Sequence, residues 1–291
     1  MKNNLFYAAL ATMMLAACSN EEVIDTTLAT PVELQVSAGV NSETRTNGKT
    51  WESGDKIGIS VTSSTKNSGS TMTGYTNVEY DISDGAGTST ASFAASGTKI
   101  LFSDATESVD FAAYSPYSSN SGTISLSAAS DGSVDDYLWA SATGKKYTDN
   151  PVSFQFNHKM AKLKIVIKLN SDFDGDSNKT IGNATITGLY STASFDIKTG
   201  IVSNQTASGT VTFSNGIFEE IIIPGTPSLT LSVTIGDQTY NVSAFKPTVT
   251  QGASYQYTIT AGKTGLTVSS CTINAWPSSE TGTGTASMTS N

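Results

Sequence analysis

The sequence predicts an all-β chain folded as two sandwiches in tandem. Short runs of alternating apolar and polar residues recur along its length, each bounded by Gly, Ser, Asn or Asp. No segment after the first 17 residues sustains a helical period. Only 14% of the residues are charged, which suits strands whose outward faces carry hydroxyls instead of ions. A chain of 291 residues is long enough for two ordinary domains, and the strands are too numerous for one small sandwich.

The elements follow in order. Lys2 supplies a short positive stretch, and Leu5 to Ala16 form an apolar run too short to span a bilayer comfortably. Residues 1–17 therefore read as a cleaved signal peptide. The run ends in Leu15-Ala16-Ala17-Cys18, which resembles the lipobox of bacterial lipoproteins, with Cys18 as the acylated residue. Ser-Asn-Glu-Glu follows and resembles an acidic surface-export tag. Residues 18–30 read as a lipidated tether. The first sandwich is expected over 31–157. Its strands are marked by Val32, Leu34 and Val36; Ile57, Ile59 and Val61; Val78, Tyr80 and Ile82; Val109, Phe111 and Ala113; and Val152, Phe154 and Phe156. Residues 62–74 and 84–90 read as exposed loops. The junction is placed near Asn157-His158-Lys159-Met160.

The second sandwich is expected over 158–276. Leu163, Ile165, Ile167 and Leu169 alternate with Lys162, Lys164 and Lys168, and Leu229, Leu231, Val233 and Ile235 alternate with Thr and Ser. Gly236-Asp237 turns the chain toward Tyr240 and Val242; Tyr255, Tyr257, Ile259, Leu266 and Val268 follow at hairpin spacing. Residues 277–291 form a polar tail. No later apolar run matches a membrane helix in length, so the lipid is the expected anchor.

A net charge of −9 repels nucleic acid. With Cys18 acylated, Cys271 has no second cysteine to pair with. His158 is the only histidine and reads as a packed or hydrogen-bonded structural residue. Asp172, Asp174, Asp176 and Asn178 have calcium-loop spacing, but the glycine stands at 175 and position twelve is Asn183. Ser63-x-x-Lys66 and Ser96-x-x-Lys99 lack partner motifs. Asp135-Asp136 and Glu219-Glu220 point to opposite faces if they lie on strands. Trp51, Trp139 and Trp276 fit core packing better than sugar binding. The reading is therefore not an enzyme: no catalytic residues, no metal and no cofactor.

Four stretches, in order, resemble the fimbrillin family of Bacteroidales. They are Thr44-Arg45-Thr46 with Trp51-Glu52-Ser53-Gly54-Asp55-Lys56-Ile57-Gly58-Ile59; Asp136-Tyr137-Leu138-Trp139-Ala140; Val152 to Leu163 with His158-Lys159-Met160-Ala161-Lys162; and Gly252 to Ile259, closing through Ile273 to Trp276. The resemblance implies two transthyretin-like β-sandwiches and assembly by strand exchange. A trypsin-like protease cuts after an arginine near the N-terminus, the first strand leaves, and a strand from another subunit fills the groove. Arg45 matches the cleavage position, with Thr46 as the new N-terminus, and Val32, Leu34 and Val36 mark the removable strand. Arg45 is also the only arginine among 16 basic residues, so an arginine-specific protease has one site. One cut would remove both the lipid anchor and the first strand.

The tail departs from the pilin pattern. Residues 277–291 carry Ala286 and Met288 among Ser, Thr and Gly, a poor set of apolar knobs for a donor strand. This favours a tip or accessory subunit over the main stalk. Expected partners are other pilin subunits, the outer membrane through the lipid before processing, and a host or bacterial surface ligand. The expected location is the cell surface, as an outer membrane lipoprotein or in a fimbrium. The alternative is a non-polymerising surface lipoprotein that binds carbohydrate or a protein partner.

Overall fold

The structure is a computed structural model that describes residues 26–40, 50–66 and 70–275. Cys18, Arg45, Thr46, Trp276 and the tail lie outside the described residues. Among those described the regular structure is nearly all strand, with three single 3-10 turns. The strands of the first half are β1 (Thr27–Glu33), β2 (Val36–Val40), β3 (Lys56–Ser64), β4 (Val78–Asp84), β5 (Thr90–Ala95), β6 (Leu101–Asp104), β7 (Val109–Ser115), β8 (Thr123–Ser127), β9 (Leu138–Lys145) and β10 (Val152–His158). The second half holds β11 (Ala161–Leu169), β12 (Ile181–Asp196), β13 (Val202–Phe213), β14 (Ile217–Ile222), β15 (Leu229–Ile235), β16 (Gln238–Phe245), β17 (Ala253–Gly262) and β18 (Gly265–Ala275).

In the first half seven strands close into a ring ordered β10-β2-β5-β4-β3-β7-β9, and β1 pairs with β6 as a separate two-stranded sheet. Two pairs, Asn157↔Trp139 and His158↔Leu138, join β9 to β10. Alternation carries Ile57, Ile59, Phe111, Ala113, Phe154 and Phe156 into one core. Its aromatic rings meet edge to face, Phe102 on Phe111 at 6.1 Å and Phe111 on Phe154 at 6.4 Å.

The second half stacks a sheet ordered β14-β11-β17-β18 on one ordered β13-β12-β15-β16. Leu163, Ile165, Leu231, Val233, Tyr257 and Ile259 fill the core between them. The Gly236-Asp237 turn links β15 to β16, as its residues suggest. Strand β10 ends at His158 and β11 begins at Ala161, so Lys159 and Met160 link the halves.

Several local expectations need correction. Residues 27–30, read as tether, belong to β1, whose Leu28 and Val32 pack against the first core. As an edge strand β1 tolerates Pro31, which has no ladder donor to offer. The expected loop 62–74 starts late, since β3 runs to Ser64, and it is not wholly exposed. Met72 heads a 3-10 turn and is fully buried in the first core. The strand marked by Val32, Leu34 and Val36 is not one strand but the end of β1 and the start of β2, on different sheets.

Candidate assembly site

Strand β2 occupies a slot with partners on both sides. It runs parallel to β10, with Val36↔Val152, Ala38↔Phe154 and Val40↔Phe156. It runs antiparallel to β5, with Val36↔Phe93, Ala38↔Ala91 and Gly39↔Thr90. Removing it would therefore open two strand edges at once. Leu34, Val36 and Ala38 all point into the first core and are almost completely buried. Burial of this kind contributes about 1.5–3 kcal/mol for a side chain the size of Val or Leu.

A break between β1 and β2 sets where the slot begins. Asn150 grips both sides of it. Its Nδ2 donates to the Glu33 carbonyl at 2.9 Å, and its Oδ1 accepts from the Gln35 amide at 3.1 Å. The Leu34 amide donates to the Ile100 carbonyl at 2.9 Å, and the Val152 amide to the Gln35 carbonyl at 2.9 Å. On the far side of the break, Lys99 Nζ lies 2.6 Å from Glu33. At the start of β1 the Asp104 carboxylate accepts from Lys66 and from the Thr26 hydroxyl. Lys66 first, and Thr26 second, hold that carboxyl well below the usual carboxylate range.

Trp51 closes the inner wall of the slot. The indole is wholly buried, 5.0 Å from Phe93 of β5 and 5.3 Å from Phe156 of β10, edge to face on each. Its Nε1 donates to the Ala38 carbonyl at 2.9 Å. Its backbone is held by the β4–β5 turn: the Trp51 amide donates to Thr88 at 2.8 Å, and the Gly87 amide to Trp51 at 2.6 Å. Trp51 thus touches β2 and is also held by a turn elsewhere. No spacing in the sequence singles it out as a contact of Ala38.

The structure brings Val36 and Leu34 together in the slot; Val32 stands apart on β1. Other residues weighed from the sequence have ordinary partners. His158 is buried at 3% exposure, with Nδ1 2.7 Å from Asp136. Asp176 pairs with Lys263 at 2.9 Å, and Asn178 donates to Asp237 at 2.9 Å. Ser63 donates to Asp110 at 2.6 Å and Ser96 to Asp81 at 2.9 Å. Glu219 lies within 2.6 and 2.7 Å of Lys162 and Lys164. Trp139 is half-buried and donates to the Ile197 carbonyl at 3.1 Å.

The fold and this slot define an all-β protein whose second strand, β2, lies between β10 and β5. The chain belongs to the fimbrillin-like family, whose profile matches residues 44–276. It is 30% identical to Fim1C of Bacteroides uniformis, a protein named as a fimbrium subunit, over 92% of this chain and 93% of that one. Among solved structures, a protein of Bacteroides uniformis designated as a cell adhesion protein is 27% identical, with a TM-score of 0.62. That likeness covers 84% of this chain and 98% of the other. One from Bacteroides ovatus with the same designation shares the fold at 21% identity, with a TM-score of 0.66 over 86% of this chain and 100% of its own.

Proposed function

We propose that this chain is a fimbrium subunit that travels to the cell surface as a lipoprotein on Cys18, is cut after Arg45, and then takes up a strand of a neighbouring subunit in place of β2. The observation that carries the reading is the position of β2. It is paired on both sides, yet its chain continuation into the rest of the fold runs through residues 41–49, which contain Arg45. A cut there leaves the segment that ends in β1 and β2 held by non-covalent contacts alone. The family match begins at residue 44, next to Arg45, which supports a boundary between a removable segment and the lasting subunit.

Leaving the slot empty would expose the apolar floor under Leu34, Val36 and Ala38, so the segment is exchanged instead of simply lost. Residues 277–291 offer few apolar knobs for the return exchange. A subunit that accepts a strand but donates poorly fits a tip or accessory position. Two β units in tandem, bounded near residues 157–160, complete this picture of a building block.

The precursor is treated with an arginine-specific protease, and the product is sequenced from its new N-terminus and sized. The expected result is a terminus at Thr46 with higher-order assemblies, absent from Arg45→Ala. A wild-type chain that stays whole and monomeric sinks the reading. In the producing bacterium, Cys18→Ser is expected to abolish incorporation of labelled fatty acid, read by gel fluorography.

A further inference from the structure

Resting on the strand-replacement reading, we infer that Trp51 selects the incoming strand by demanding a small residue, with its backbone carbonyl free to accept, at the position Ala38 now fills. The slot is graded. Among its described side chains the inward positions hold Leu34, Val36 and Ala38, a series that shrinks in the chain direction. The taper follows from what lies beneath. Phe93 is level with Val36 and Phe156 with Val40, and the Trp51 ring packs against both, so the indole lies under the stretch of β2 that contains Ala38.

Two constraints follow for any replacement strand. The Trp51 Nε1 proton now goes to the Ala38 carbonyl at 2.9 Å in a fully buried place. A buried donor whose acceptor is withdrawn carries its full desolvation penalty, so the new strand must put a carbonyl at the same register. Ala38 is itself completely buried, in a core packed to crystal-like density. A side chain several methylenes larger there must displace the indole or one of the two phenylalanines. Trp51 stays with the subunit after a cut at Arg45, and its backbone is tied to Thr88 and Gly87 of the β4–β5 turn, which also stay. The reader is therefore in place before the new strand arrives. The partner that fits is an extended segment of another subunit with the pattern large, any, branched, any, small, antiparallel to β5 and parallel to β10. In the same chain direction, this chain's own alternating series Gly284, Ala286 and Met288 runs from small to large, the reverse of the taper.

The full chain, cut with an arginine-specific protease, is mixed with a fluorescent peptide of residues 27–40 and, separately, with the same peptide bearing Ala38→Leu. Uptake is read by anisotropy. The first peptide is expected to replace the native segment, and the second to bind at least tenfold more weakly. In a Trp51→Phe chain, where the ring is smaller and the N–H is gone, the ratio between the peptides is expected to fall to threefold or less. Should that variant not fold, the ratio on the wild-type chain alone decides. Equal binding of both peptides overturns the role of Trp51 while leaving strand replacement standing. A chain that is never cut, or that takes neither peptide once cut, overturns strand replacement and this inference with it.

Discussion

Tyr114 lies on the face of β7 opposite to Phe111 and Ala113, where the period of two turns it away from the first core. It anchors a buried polar knot. Its hydroxyl donates to Asn77 Oδ1 at 2.8 Å and accepts from the Ser118 amide at 3.0 Å. Asn77 Nδ2 in turn donates to the carbonyls of Ser118 and Asn120 at 2.7 and 2.9 Å. The knot holds Asn77 at φ 51°, in the left-handed region that asparagine tolerates better than most residues. Burial, the largest influence, pushes the Tyr114 hydroxyl up to about 12. Its stabilising contribution is complete below the ordinary tyrosine value of about 10 and declines as pH rises from there through 12. Tyr114→Phe keeps the ring and deletes the knot. It should lower stability by about 1–3 kcal/mol at neutral pH and flatten part of the loss between pH 10 and 12, both read from denaturant midpoints. The sequence shows the alternation of Val109, Phe111 and Ala113, but not a tyrosine serving the other face, because that face is completed by Phe195 of β12, remote in sequence.

Strands β1 and β2 show what periodicity can and cannot reveal. Leu34, Val36 and Ala38 are legible as an inward-facing set, since their alternation survives in the fold. The break at Leu34-Gln35 is not, because the groups that impose it, Asn150 and the Ile100 carbonyl, are remote in sequence. The extent of β1 is hidden as well: Thr27 to Pro31 does not alternate, and the strand forms because β6 offers a free edge. Its outer end depends on Asp104, whose carboxyl Lys66 and Thr26 keep ionised. A depressed carboxyl contributes stability that is complete above its unfolded value of about 4 and is lost as pH falls through the lower folded value. The pairing of β1 with β6 should thus persist at pH 5 and loosen only below about pH 4. In Asp104→Asn it should already be loose at neutral pH. Hydrogen exchange of the amides of β1 and β6 checks both; protection in the variant equal to wild type at pH 7 would show that the ion pair is ornamental.

At the scale of the whole molecule, what matters is how force or strain passes between the halves. A third core lies where they meet. Ile124 and Leu126 of β8, Tyr114 and Tyr137 come from the first half, and Ala193, Phe195, Ile197 and Val202 from the second. Strand β8 leaves the ring altogether and pairs with the end of β12, Leu126↔Ala193 and Ile124↔Phe195, extending the other half's sheet. Phe195 is fully buried, 5.1 Å from Tyr137 and 6.2 Å from Tyr114. Beside it Gly200, at φ 68°, lies against the Trp139 ring, where an added Cβ would come within 2.7 Å, and Lys159 caps that ring at 4.9 Å. The sequence marks the junction near Asn157 to Met160 but leaves β8 unassigned, since a five-residue strand among serines carries little signal. Removing the Phe195 ring should cost about 3–5 kcal/mol, part of it from the contacts with Tyr114 and Tyr137 across the halves. Phe195→Ala is therefore expected to split one calorimetric transition into two, with the half that contains the β2 slot keeping its affinity for a replacement strand. A single transition, merely shifted down, would mean that β8 pairing alone carries the coupling and that the joint resists separation even without its aromatic centre.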